Sequence, residues 1–250
     1  MQLTDSHCHL ADAAFSADRP AVQHAASTAG VGRLIVPATH SGDWQAVCAL
    51  ASEHIHCALG IHPWWATEYS DGLLHRLDQT LATQRRLLVG EIGLDYRHGQ
   101  PDEAARRQQQ TCLAAQLELA HRHHRPVVLH NLHATHDLLC LLAHSGVRSG
   151  IVHAFSGSLE EAHAFIRLGF LIGIGSLLLH PNAKKAQRAA VELPLDSLVL
   201  ETDSPFMLPG QRNTPANILP IAHRVAELRN IPLQHVARIT EHNIDRLLAF

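Results

Sequence analysis

A chain of 250 residues with 46% hydrophobic side chains is long enough for one TIM barrel and its core. Its net charge of −3 excludes a protein that grips nucleic acid through a broad basic face. No apolar run reaches the roughly 18 residues of a membrane span, and no basic segment followed by an apolar leader opens the sequence, so a soluble, cytoplasmic protein without membrane contact is expected.

Short β-rich runs alternate with longer helical patterns, the signature of βαβ units and a parallel sheet. The predicted strands are Gln2–Asp5, Arg33–Pro37, Cys57–Gly60, Leu87–Glu91, Val127–His130, Gly150–His153, Phe170–Gly173 and Leu198–Glu201. Helical periodicity fills the intervals: in Arg106–His124, Leu113, Leu117 and Ala120 recur at spacings of three and four. Beyond the eighth strand, Pro215–Leu228 and Pro232–Leu248 predict two closing helices, each with a proline in its first turn. No linker, repeat or compositional break divides residues 1–250. The expected fold is therefore a single α/β domain, a (β/α)8 TIM barrel. Cys8, Cys48, Cys57, Cys112 and Cys140 are scattered and form no C-x-x-C pair, which suits reduced, packed thiols rather than a disulfide framework.

The strand ends carry the chemistry. Asp5-Ser6-His7-Cys8-His9 ends the first apolar run, and Glu91, His130, His153 and Asp203 stand at the ends of the fourth, fifth, sixth and eighth. Catalytic residues of this fold come from the C-terminal ends of several strands. Residues i and i+2 of a strand share a face, which points His7 and His9 together into the barrel mouth and Cys8 towards the helices. The H-x-H spacing alone carries nothing, because about two such pairs are expected by chance among 22 histidines and three occur. Glu91 is harder to dismiss. A carboxylate between Val89-Gly90 and Ile92-Gly93 is costly to bury without a partner, and the glycines allow another group close to the backbone. Four imidazoles and two carboxylates suffice for two divalent cations sharing a bridging carboxylate, an arrangement suited to phosphoester hydrolysis. Asp203, at the edge of the set, is placed to orient a water and take its proton.

With these residues in view, the chain resembles the TatD family of metal-dependent hydrolases, within the amidohydrolase-like barrels. The resemblance runs nearly end to end: DSHCHL at the start, GIHP at 60–63, GEIGLDYR at 90–97, PVVLH, HAFSGS at 153–158, GFLIGIG, LETDSPF at 200–206, RNTPANI at 212–218 and the closing ITEHNIDRLLAF. GEIGLDYR and ETDSP are specific to the family, whereas D-x-H-x-H marks only the wider superfamily. VGRLIVPAT and FSGSLEEA are similar to the bacterial paralogues. The resemblance implies a divalent-metal-dependent deoxyribonuclease, often a 3′ exonuclease, with DNA as substrate rather than stable partner. It also implies that His7, His9, Glu91 and Asp203 hold one metal, and that Glu91 bridges to a second held by His130 and His153. One departure stands out. The family's strand-five H-x-R segment here reads His130-Asn131-Leu132, so the arginine is replaced by Leu132.

Further candidates surround this set. His62, in GIHP, and Arg97, after Asp95-Tyr96, are candidate phosphate contacts, set against a turn residue before Pro63 and a solvated arginine. Trp64 and Trp65 either stack on a base or pack the rim. Imidazole and carboxylate ligands suit Zn, Mn, Fe or Ni, while Mg prefers oxygen alone, so the identity of the two divalent cations stays open among these five. A binuclear enzyme acting on a small phosphoester, lactone or cyclic amide is the alternative reaction. Many such enzymes bridge their metals with a carboxylated lysine on strand four, and Leu87–Glu91 has none. A histidine-rich metal-storage or metal-sensing protein is the non-enzymatic alternative; it predicts exposed histidine clusters such as His121, His123 and His124.

Overall fold

The computed structural model describes residues 1–180 and 182–250. Eight parallel strands follow one another around a barrel in sequence order. They are β1 (Leu3–Asp5), β2 (Val31–Pro37), β3 (Ile55–Leu59), β4 (Leu88–Asp95), β5 (Val127–Leu132), β6 (Gly150–Val152), β7 (Phe170–Ile174) and β8 (Leu198–Leu200). The seam between β8 and β1 is made just beyond their ends. Ser6 N donates to Leu200 O at 2.9 Å and Asp203 N to His7 O at 2.9 Å, while Cys8 bridges to Ser204. Asp5 adds a buried side-chain tie, accepting from Thr202 N at 2.9 Å and Thr202 Oγ1 at 2.6 Å.

Helices on the outside are α1 (Arg19–Thr28), α2 (Trp44–Cys48), α3 (Asp71–Thr83), α4 (Glu103–Arg122), α5 (Thr135–Ser145), α6 (Leu159–Arg167), α7 (Lys184–Glu192), α8 (Ile218–Arg229) and α9 (Leu233–Leu248). The sequence places α4 three residues late: Asp102 accepts from Ala105 N and starts it at Glu103. Pro215 opens a short 3-10 turn before α8, and Pro232 is the residue that caps α9 rather than part of its first turn. Among the described residues no helix is long and apolar enough to cross a membrane.

Alternation along the strands divides the core. Ile35, Ala58, Leu88, Val128, Ile151, Leu171 and Val199 supply one inward residue from each of β2 to β8, and Ile244 and Leu247 of α9 pack against them. Burial of each larger aliphatic side chain is worth about 1.5–3 kcal/mol. The outward positions, among them Val36, Leu59, Val89, Ile92, Leu129 and Ile172, join the larger cluster beneath the helices, and Cys8 belongs to it as its strand parity requires.

Strand β4 breaks this alternation once. Val89 pairs with Val127 but Ile92 with Leu129, so three steps along β4 match two along β5. Inserting one residue turns every following side chain to the other face. Leu88 therefore faces inward, as does Glu91, while Val89, Ile92 and Leu94 all face the helices. Pairing then continues through Gly93–His130, Leu94–Asn131 and Asp95–Leu132. Glu91 and His130 consequently lie inside their strands rather than closing them, because both strands run further than the apolar pattern suggested. Gly93 (φ +148°) makes this close fit possible: a Cβ there would sit 2.0 Å from the His130 carbonyl oxygen.

Candidate metal centre

His7, His9, Glu91, His130, His153 and Asp203 meet at the C-terminal mouth of the barrel, around Glu91. The two carboxylate oxygens of Glu91 face different partners. Oε1 lies 2.8 Å from His153 Nε2, 3.1 Å from His130 Nδ1 and 3.3 Å from His62 Nε2. Oε2 lies 3.3 Å from His7 Nε2 and 3.6 Å from His9 Nε2. Asp203 closes the second group, with Oδ1 at 3.3 Å from His9 Nε2 and 3.6 Å from His7 Nε2. It sits in the left-handed region (φ +57°), which aspartate tolerates better than most residues. The rings of His7 and His153 stack across the two groups at 3.8 Å.

The donor set fits cation binding. Three trios (His7, His153 and Asp203; His7, His9 and Glu91; His62, Glu91 and His130) bring their ligand atoms within 4.8 Å of one another. His7 Nε2 and His9 Nε2 approach to 3.2 Å, and His130 Nδ1 and His153 Nε2 to 3.3 Å. Ring nitrogens converging on carboxylate oxygens suit a borderline cation such as Zn²⁺ or Mn²⁺. His130 is further oriented by Asp95, whose Oδ2 lies 3.1 Å from His130 Nε2. A ring that keeps its Nε2 proton on Asp95 presents an Nδ1 lone pair to the centre, the usual outer-shell arrangement of metal-binding histidines.

Opposite charges within the cluster shift the titration of its members. Burial opposes ionisation of Glu91, yet the surrounding His153, His62, His7 and His130 hold its carboxyl well below the usual range. Burial likewise opposes a charge on His9 and His130, but Asp203 pushes His9 up to about 9, and Asp95 with Glu91 does the same for His130. His7 goes the other way, to about 4, through burial and the neighbouring His153. At pH 7 the metal-free His9 and His130 therefore carry protons that coordination must displace. Metal affinity is expected to rise with pH through about pH 9, where those rings lose their protons, with proton release on binding at pH 7. Calorimetric titration in buffers of different ionisation enthalpy measures that release. Heats independent of the buffer would show that both rings are already neutral.

His62 is buried in the wall of the same cluster but is wired differently. Its Nδ1 accepts the Trp64 backbone N–H at 3.2 Å, so in the neutral ring the proton is on Nε2, which faces Glu91. It presents a donor where its neighbours present lone pairs. Arg97 is not brought into the site: its guanidinium is exposed and has no partner among the described residues, and only its backbone N–H reaches inward, to Asp95 Oδ1 at 2.8 Å. Leu132 ends β5 two residues after His130, partly exposed and outside both hydrophobic clusters, so it shares the face of His130 towards the mouth.

Two carboxylates escaped the sequence reading. Asp95 lies beyond Glu91, the predicted end of the fourth strand, and its place in the specific GEIGLDYR segment is the available signal. Glu201 is fully buried two residues before Asp203, with its carboxylate in the space a side chain at Gly173 would fill. Its Oε1 accepts the Ala154 N–H next to His153, and burial pushes it up to about 7.

The family model for TatD-related DNases matches residues 4–249. The chain belongs to the TatD family. The uncharacterized metal-dependent hydrolase YjjV of Escherichia coli K12 is 40% identical over 249 residues, covering 96% of this chain and 95% of that protein. A crystal structure of YjjV, described as a TatD homolog, superposes with a TM-score of 0.91 at 37% identity over 98% of this chain and 97% of that one. Human deoxyribonuclease TATDN3 is 32% identical, covering 98% of this chain and 94% of its own length. The TatD assignment agrees with the barrel and accounts for the DSHCHL, GEIGLDYR and ETDSPF segments that supply the centre.

Proposed function

We propose that this TatD-family hydrolase cleaves phosphodiester bonds in DNA, removing nucleotides from a 3′ end, with two divalent cations. His7, His9, Asp203 and one oxygen of Glu91 would hold the first cation. His130, His153 and the other oxygen of Glu91 would hold the second. The observation that carries this reading is the division of the Glu91 oxygens between two sets of imidazoles. Bound divalent cations lower the pKa of water and neutralise charge on a phosphoryl group. Around that chemistry, Asp203 accepts the proton of the attacking water and His62 donates its Nε2–H to a phosphate oxygen. Asp95 keeps His130 in one orientation. The deoxyribonuclease name of TATDN3 supports the choice of DNA.

A lysine-bridged enzyme for lactones or cyclic amides is disfavoured, because β4 contains no lysine along its whole length. Metal storage is disfavoured because the converging histidines come from separate strands rather than an exposed tract. The test is a metal screen against end-labelled single- and double-stranded DNA, beside a lactone and a small phosphoester, with metal stoichiometry measured in parallel. Expected are about two metals per chain and metal-dependent shortening of DNA from the 3′ end. Lactone turnover without DNA cleavage would overturn the reading.

Leu132 gives a second check. Leu132→Arg is expected to tighten inhibition by inorganic phosphate about tenfold, since a guanidinium beside the centre can bind phosphate in bidentate fashion. Inhibition constants and melting temperatures for both proteins measure this. A stable variant with unchanged phosphate affinity would show that position 132 does not meet substrate.

A further inference from the structure

Two large aromatic side chains stand exposed at the barrel mouth, Trp64 at 52% and Phe206 at 51% of full exposure. They flank the centre on opposite sides of Glu91. The Phe206 ring lies 5.7 Å from that of His9, which faces Glu91 Oε2. Trp64 lies 4.8 Å from His62 and 6.3 Å from His130, which face Glu91 Oε1.

The Trp64 ring is held in place, and so is the backbone that carries Phe206. The Trp64 indole N–H donates to Asp95 Oδ2 at 2.7 Å, and its ring is stacked on His98 at 4.0 Å and 24°. Phe206 is fixed through its backbone: its N–H donates to Asp203 O and its carbonyl accepts from Asn213 Nδ2, both at 2.8 Å. A fixed aromatic ring with a free face loses little conformational freedom when another ring stacks on it. Trp65 is excluded from this pair, since it packs beside His40. Two residues after His130 the strand carries Leu132 rather than a cationic side chain, and the exposed Arg97 guanidinium has no partner among the described residues.

We propose that Trp64 and Phe206 each stack on one of the two bases flanking the scissile phosphate, so that the enzyme holds an unpaired strand by its bases more than by its phosphates. The proposal rests on the phosphodiesterase reading above and names the part of the substrate that confers affinity. Bases within a duplex are stacked on one another and cannot reach two separate rings. Stacking on aromatic side chains tolerates any base, so the preference is for unpaired structure and not for sequence.

The test compares KM for a short single-stranded oligonucleotide with KM for the same strand made abasic on one side of the cleaved bond, then on the other. Wild type, Trp64→Ala, Trp64→Phe and Phe206→Ala are assayed with each. Removing a base from the wild-type substrate is expected to raise KM about tenfold. Removing the matching ring should do the same, and the two losses should not add, because each abolishes the same contact. Trp64→Phe should recover part of the loss by restoring a ring. Full additivity, or equal KM for intact and abasic strands in the wild type, would overturn the stacking and leave the phosphodiesterase reading intact. A wild type that cleaves none of these strands under any metal would overturn both. The abasic comparison uses wild-type protein, so it holds even if an alanine variant folds poorly.

Discussion

Glu91→Gln is expected to abolish hydrolysis, by about three orders of magnitude or more, and to strip metal from the protein. Three orders correspond to about 4 kcal/mol of lost transition-state stabilisation, within reach of what a metal centre supplies. The glutamate offers an anionic oxygen to each group of imidazoles. An amide offers one neutral oxygen and turns N–H donors towards the other group, where lone pairs are needed. The substitution also removes the charge that raises the pKa of both His153 and His130. Breaking a buried ion pair costs about 3–5 kcal/mol when the remaining charge is trapped. Here the histidines can shed their protons, so a smaller loss of stability is expected. Turnover and metal content by atomic emission, with melting temperature alongside, measure all three effects. A variant that kept two metals and normal turnover would remove the case for a bridging carboxylate.

Asp203→Asn should separate chemistry from binding. A fall in kcat of about 10²- to 10⁴-fold is expected, the range for loss of a general base, with KM changed far less. Asparagine keeps the shape and one ligand oxygen but cannot accept the proton. Because the Asp203 carboxylate is the main partner that raises His9, the same substitution should lower the His9 pKa and reduce the proton release on metal binding. Raised KM with unchanged kcat would assign Asp203 to binding alone. Unequal loss of one metal would show as a change in stoichiometry, so both quantities are needed.

Much of the barrel was legible because the apolar runs were short, regular and separated by helical patterns. His7, His9, Glu91, His130, His153 and Asp203 were legible for the same reason, since each interrupts or follows an apolar stretch. What alternation could not give was the direction of Glu91. Counting by twos from Leu88 sends Gly90 inward and Glu91 towards the helices, and only the extra residue between Val89 and Ile92 reverses this. Asp95 was hidden by the same local irregularity. The strand was expected to stop at Glu91, whereas pairing carries it four residues further and delivers Asp95 to His130. Glu201 was passed over because its neighbour Asp203 accounted for that strand. Arg97 fits the solvated alternative set beside its candidate contact: Asp95 accepts its backbone N–H and its side chain is exposed.

The one-residue insertion in β4 sets regularity against reactivity. A chain of the same length that slipped by one residue past Val89 and paired evenly with β5 would set Glu91, in place of Ile92, opposite the outward-facing Leu129. Its fourth strand would then present the glutamate to the helix layer, where a carboxylate has no imidazoles around it. Any drift towards an evenly paired sheet at this point is therefore drift towards an inert barrel, and persistence of the irregularity is a mark by which active descendants of such a scaffold can be told from decayed ones.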